Sequence, residues 1–335
     1  YAIIHAPRVT HDYGAYYKFS RALIEGRNIG SLYNSTALND PRYSYEIAPT
    51  DISYNPPTNA FTLLPFAWMN AYDARIAWSV FCILLFLWTV FLLFRTYHIP
   101  WKENVGLGIL TLIFLWYPVY NNIYLGQLYL LLLFLFTLSL WGVTENRPFL
   151  TSIPIALAIL LKGYGIVPLL WLMYNKRWKE SLLAMGFVVI FIACALPVIG
   201  TDTWLAYYHA VFVKLGQMPS DSHVAYQAVN NFMHHLFTFD KDWSPYPVFV
   251  LPVNIVMGIT VLLNLLIVGV VIVKTSGRKE PRDCKISYSA AIAVGVVTAP
   301  LAFEYHYILF LPLAIGLLSL LYNTKSRITY NTATV

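Results

Sequence analysis

The sequence predicts an all-α, polytopic membrane bundle, and three observations carry that prediction. The first is composition: of 335 residues, 58% are hydrophobic and only 11% charged, with a mean hydropathy of +0.59. Soluble domains carry about 25% charged residues. The second is the arrangement of the apolar residues, which fall in long runs separated by short polar connections. The third is where the Lys and Arg residues lie. They concentrate in alternate connections, as expected of a chain threaded back and forth through a bilayer. A net charge of +6 thus needs no nucleic acid to explain it, and none is expected as a partner.

The apolar segments are at 73–97, 104–118, 125–142, 148–161, 163–174, 179–198, 248–273, 286–300 and 306–322. Counting short and broken ones, this predicts about nine or ten membrane helices. A straight span needs about 20 apolar residues, and several segments are shorter. The pair 148–161 and 163–174 meets at "LKGYG". Short helices joined by an irregular turn at membrane depth are tolerated only where they border protein or a watery cavity. Residues 60–69, "AFTLLPFAWM", are too short to span and read as an interfacial or re-entrant piece.

Alternate crossings put 98–103, 143–147, 175–178, 274–285 and 323–335 on one side. With helix-end Arg95 and loop-flanking Lys179, that side holds 13 of the 22 Lys and Arg. By the positive-inside rule it is cytoplasmic. Residues 1–59 and 199–247 are then extracytoplasmic, as are turns near 119–124, 162 and 301–305. Two parts follow: a first extracytoplasmic loop with interfacial helices over 1–72, and a helical bundle over 73–335 that carries the second loop. The chain begins at Tyr1 and shows no secretory signal pattern, so a preceding segment, one transmembrane helix long, is expected to be missing.

The opening stretch "HDYGAYYKFSRALIEGRNIGSLY" (11–33) is polar and rich in tyrosine. Asp12 is expected as a helix N-cap and Gly26 as the C-terminal stop. Tyr13, Tyr16, Tyr17, Ser20, Leu23 and Ile24 share one face. Rings with polar tips suit a membrane interface, so the helix is expected to lie in the interface plane.

Polar residues elsewhere gather at the same outer side. Pro56 and Pro57 force an extended entry into the next helix. Gly126 and Gln127 follow Asn121 and Asn122, and a Gln there should face the protein interior. Lys162 sits between two short helices, where it either snorkels to the surface or binds an anion. Asn231 lies in "YQAVNNFMHHLF" with His234 and His235, which as helix neighbours point about 100° apart and do not readily share a metal. "DKD" at 240–242 is too short a polar loop motif to argue a metal site. Glu304 and His306 fall just outside an apolar helix. The three cysteines are dispersed and give neither a disulfide framework nor a zinc spacing. No metal or cofactor is expected. Charges strung along a mid-bilayer path, as in a carrier, are not seen. An outward-facing active site fits the pattern better.

At these residues the chain resembles glycosyltransferase family 87, the polyprenyl-phosphate-mannose-dependent mannosyltransferases of the GT-C superfamily. The matching pieces are "DYGAYYKFSRALIEGRNIGSLY", "YNPPTNAFTLLPF", "NNIYLGQLYLLLL", "LKGYGIVPLL", "QAVNNFMHHLF" and "APLAFEYHYILFLPL". They occur in the family's order over most of the chain. There are two departures: the first transmembrane helix expected before the acidic loop is absent, and Gly163 follows Lys162 where members often carry proline. The resemblance implies a multi-pass inner-membrane enzyme that moves a hexose, mannose above all, from a polyprenyl-phosphate donor to a glycolipid or glycan hydroxyl. It maps the catalytic aspartate of the first outer loop onto Asp12, as general base in an inverting displacement. Lys162 and His306 are the candidate ligands of the leaving phosphate. Gln127 and Asn231 would hydrogen-bond sugar or phosphate, and Tyr16 and Tyr17 would pack on sugar or lipid. Glu304 is the reserve base and a donor-site candidate. The alternatives are another lipid-linked sugar such as arabinofuranose, a lipid-linked-sugar flippase or transporter, and a structural membrane subunit.

Overall fold

The structure, a computed structural model, describes residues 11–34, 55–101, 103–212, 225–276 and 281–333. Among these the regular elements are helices, with a lone bridge between Asp240 and Ser244 and no strand. The helices are α1 (His11–Ile24), α2 (Ala71–Tyr97), α3 (Asn104–Leu115), α4 (Tyr117–Leu125), α5 (Tyr129–Thr144), α6 (Pro148–Lys162) and α7 (Ile166–Tyr174). They continue as α8 (Trp178–Ile199), α9 (Thr201–Tyr207), α10 (Val229–Phe237), α11 (Val253–Thr275), α12 (Pro281–Val297) and α13 (Leu311–Ala333). Short 3-10 segments lie at Ile29–Tyr33, Pro57–Phe61 and Glu304–Phe310.

Four elements are long and apolar enough to cross a membrane alone: α2, α8, α11 and the run Glu304–Tyr322. A fifth span is possible if α3 and α4 count together, bent by 43° at their junction. Pro118 in the first turn of α4 fits the break, because it has no N–H to continue the α3 ladder, and the chain is extended at Trp116 between the two helices. The sequence reading placed a turn over 119–124; the chain there is helical instead. The larger expected number of spans included α5, α6 and the apolar part of α12, which are shorter than one straight crossing.

The core is built on α2, α5 and α6, joined by α12 and the 3-10 segment at 304–310. α8 and α11 bury little of their apolar windows inside the protein, as lipid-facing helices do. α5 packs closely on α6. A Cβ at Gly142 would lie 2.6 Å from the Thr151 backbone nitrogen. Backbone cannot retreat, so Gly142→Ala should separate the helices at about 1–3 kcal/mol. A lowered midpoint for thermal unfolding of the detergent-solubilised protein checks this; an unchanged midpoint means the crossing relaxes without cost.

The basic connections meet at one end of the bundle. Arg95 and Arg147 both approach the Trp141 ring. Arg177 donates to the Val143 carbonyl and to Asn146, and Lys285 donates to the Thr96 carbonyl. The break after α6 lies at the opposite end. Gly163 adopts φ +76°, the left-handed conformation that ends a helix. Gly165 lets the chain pass against α6, since a Cβ there would sit 2.5 Å from the Ile155 carbonyl oxygen.

α1 ends as expected. Gly26 has φ +64°, Arg27 N–H bonds the Ala22 carbonyl and Gly26 N–H bonds that of Leu23, which is a Schellman closure. Its start differs. The helix begins at His11, so Asp12 lies in the first turn and is not the N-cap. There its negative charge still meets the positive end of the helix dipole. Nor does α1 expose a polar face along its centre: Tyr13 to Ser20 are all buried, Lys18 included.

Candidate functional site

α1 enters the site end of the bundle through its tyrosines. Tyr16 Oη donates to Gln127 Oε1 at 2.9 Å and also hydrogen-bonds Asn55. Burial first, then the Asp12 charge, pushes the Tyr16 phenol well above its ordinary value, while the Asn55 hydrogen bond opposes the shift. Tyr16 is therefore a neutral hydrogen-bond donor at working pH. One turn earlier, the Asp12 carboxylate is close enough to Lys162, Tyr16 and Tyr305 to interact electrostatically with each.

Lys162 is the last residue of α6, where the helix dipole favours a cation. Its Nζ donates to Tyr129 Oη at 3.3 Å and sits 4.4 Å from the Tyr129 ring centroid and 5.5 Å from that of Tyr16. Two ring faces and a nearby carboxylate replace part of the ammonium's lost hydration. The lysine therefore stays within the cluster and does not snorkel. His306 completes the group. Its ring stacks on Tyr129 with centroids 4.1 Å apart, and Nδ1 shares a 2.9 Å hydrogen bond with Tyr164 Oη.

Asp12 and Tyr16 on α1 thus come together with Gln127, Lys162 and His306, from four separate parts of the chain. Three candidates are placed otherwise. The Tyr17 hydroxyl donates to the Met69 carbonyl at 2.6 Å, so it anchors α1 to the start of α2. Asn231 Oδ1 accepts from Ala228 N–H at 3.3 Å, half of a capping box on α10. α10 borders the site because Gln227 N–H bonds the Ala302 carbonyl and Tyr307 donates to the Gln227 carbonyl. Glu304 accepts from Asn121 Nδ2, tying α4 to the segment that carries His306.

Several contributors escaped the sequence reading. Tyr129, Tyr164 and Tyr305 form the aromatic frame around Lys162 and His306. The available signal was a phenol inside an otherwise apolar stretch. Thr58 and Asn59 have a different task. Thr58 Oγ1 donates to the Leu160 carbonyl at 2.6 Å and Asn59 Nδ2 to that of Leu161 at 3.2 Å. The last carbonyls of a helix have no partner within it, and these side chains satisfy two of them immediately before Lys162. Thr58→Val should cost about 1 kcal/mol of stability and Thr58→Ser much less. Thermal unfolding of the two variants side by side checks this; equal midpoints would show that the carbonyl finds another donor.

A carboxylate, an ammonium, an imidazole and neutral donors around one aromatic frame can bind a phosphate ester and accept a proton from a hydroxyl. The model of glycosyltransferase family 87 matches residues 54–300, well over half the chain. This protein belongs to glycosyltransferase family 87. It is a membrane glycosyltransferase. The family 87 match takes in Gln127, Lys162 and Asn231, whereas Asp12, Glu304 and His306 fall beyond its ends. No curated protein and no solved structure matches the chain.

Proposed function

We propose that this family 87 enzyme transfers a hexose, mannose above all, from a polyprenyl-phosphate donor to a hydroxyl of an extracytoplasmic glycolipid or glycan. The observation that carries the reading is Lys162 Nζ held over the Tyr129 and Tyr16 rings, within electrostatic reach of Asp12, at the end of the bundle opposite the basic loops. Nucleotide sugars are cytoplasmic, so a site on the far side needs a lipid-borne donor. The acceptor oxygen attacks the anomeric carbon while the bond from that carbon to the phosphate oxygen breaks. Asp12 takes the hydroxyl proton, and polyprenyl phosphate leaves with the bonding electrons. Lys162 faces the phosphate as its charge grows, with Gln127 and Tyr16 orienting the sugar. His306 supplies a further hydrogen bond to donor oxygen atoms. Single displacement turns a β-linked donor into an α-linked product.

The site needs no group beyond these side chains in this scheme. Two features favour it over a carrier. The candidate side chains Asp12, Tyr16, Gln127, Lys162 and His306 form one cluster at one end, and the opposite end carries cation–ring and arginine–carbonyl contacts. The test is label transfer: purified protein, polyprenyl-phosphate-[14C]mannose or polyprenyl-phosphate-[14C]arabinofuranose, and a membrane extract as acceptor. Mannose in an α linkage is expected. A β-linked product excludes the single displacement, pentose transfer alone reassigns the donor, and movement of label across vesicles without a product makes the protein a carrier.

A further inference from the structure

Arg75 is a buried cation in the second turn of α2, 4% exposed. An arginine within a membrane span is expensive and is retained for a task. Its guanidinium faces the end of α4. Nη2 donates to the Ile123 carbonyl at 2.6 Å and the Tyr124 carbonyl at 2.9 Å, while Nη1 bonds Ser79 Oγ. One turn on, Trp78 Nε1 donates to the Gly126 carbonyl at 3.1 Å. The chain between closes tightly. Gly126 has φ +68°, Gln127 N–H bonds the Asn122 carbonyl and Gly126 N–H bonds that of Ile123. A Cβ at Gly126 would lie 3.0 Å from both the guanidinium carbon and Tyr13 Cβ. The guanidinium also stands 5.2 Å from the Tyr13 ring centroid, on the residue next to Asp12. The residue that leaves this turn is Gln127, whose Oε1 receives the Tyr16 hydroxyl.

We propose that Arg75 is a positioning residue: with Trp78 it locks the turn at Gly126 and so fixes Gln127, and through it Tyr16, over Lys162. It touches neither donor nor acceptor. Planarity is what the task requires, because one nitrogen meets both adjacent carbonyls, the other meets Ser79, and the plane also lies against a ring. A lysine ammonium cannot do all of this. The inference rests on the transfer reaction proposed above.

The test is a double-mutant cycle on full-length protein, with Arg75→Lys, Gln127→Ala and the pair. A residue acting through Gln127 loses its effect once Gln127 is gone. Arg75→Lys is expected to lower kcat at least about tenfold in the parent and less than about twofold in the Gln127→Ala background. Equal fold-losses in the two backgrounds overturn the proposal, as does an inert Gln127→Ala. Hydrogen exchange of peptides covering 117–129 is measured on the same samples and needs no substrate. Faster exchange confined to that stretch is expected in Arg75→Lys, and unchanged exchange overturns the proposal. If the parent transfers no sugar, the reaction assignment fails and exchange alone decides the role of Arg75. Should Arg75→Lys not fold, Trp78→Phe keeps the ring while removing the bond to the Gly126 carbonyl, and it takes the same place in both measurements with the same outcomes.

Discussion

Asp12→Asn is expected to cut transfer by about 10²–10⁴-fold while leaving a folded protein. The substitution keeps size and polarity and removes the one property a general base must have. Asp12 lies in the first turn of α1, so losing its charge forfeits about 0.3–1 kcal/mol with the helix dipole. That is too little to unfold a helix buried among the bundle's aromatic side chains. The measurement is kcat with a saturating lipid donor, beside the thermal midpoint of both proteins. A variant that is folded and fully active removes Asp12 from the chemistry. Glu304 would then be the next carboxylate to test, although its bond with Asn121 places it on the flank.

Lys162→Met should lower kcat and kcat/KM together by about 10²–10³-fold. Methionine preserves most of the unbranched stem and abolishes the charge. A cation that meets the phosphate mainly as the sugar bond breaks acts on the transition state and leaves donor affinity nearly unchanged. An increase in donor KM with constant kcat would instead make Lys162 a ground-state anchor for the lipid phosphate. Removing it also takes the Lys162 charge away from the Asp12 carboxylate, so Lys162→Met should change the pH profile of the residual rate. A profile identical to the parent's would mean that the two groups do not act as a pair.

Much of the architecture was legible in the chain because the code for it is local. Long apolar runs must become helices in lipid, since no water is present to satisfy the backbone. Gly26 and Gly163 mark helix ends because a left-handed residue closes a helix and glycine adopts it without strain. The family was legible through the ordered stretches quoted, most of which lie within the matched residues.

The misplacements have separate causes. α1 starts two residues earlier than an N-cap at Asp12 requires, within the ordinary spread of helix boundaries. The helix at 117–125 escaped notice because a proline normally ends an apolar run, whereas Pro118 lies in the first turn of a new helix. Tyr16 and Tyr17 looked equivalent in sequence. Adjacent residues on a helix point about 100° apart, so one reaches Gln127 and the other Met69.

By itself, then, the sequence determined a helical membrane protein of the glycosyltransferase family. Hydrophobic burial and backbone hydrogen bonding follow from residue type and spacing. The tertiary structure alone decided which polar residues meet. Lys162 depends on Thr58 and Asn59 across about a hundred positions, and Gln127 depends on Arg75 across about fifty. Those partnerships are set by the rotation of each helix against its neighbours, which no single segment encodes.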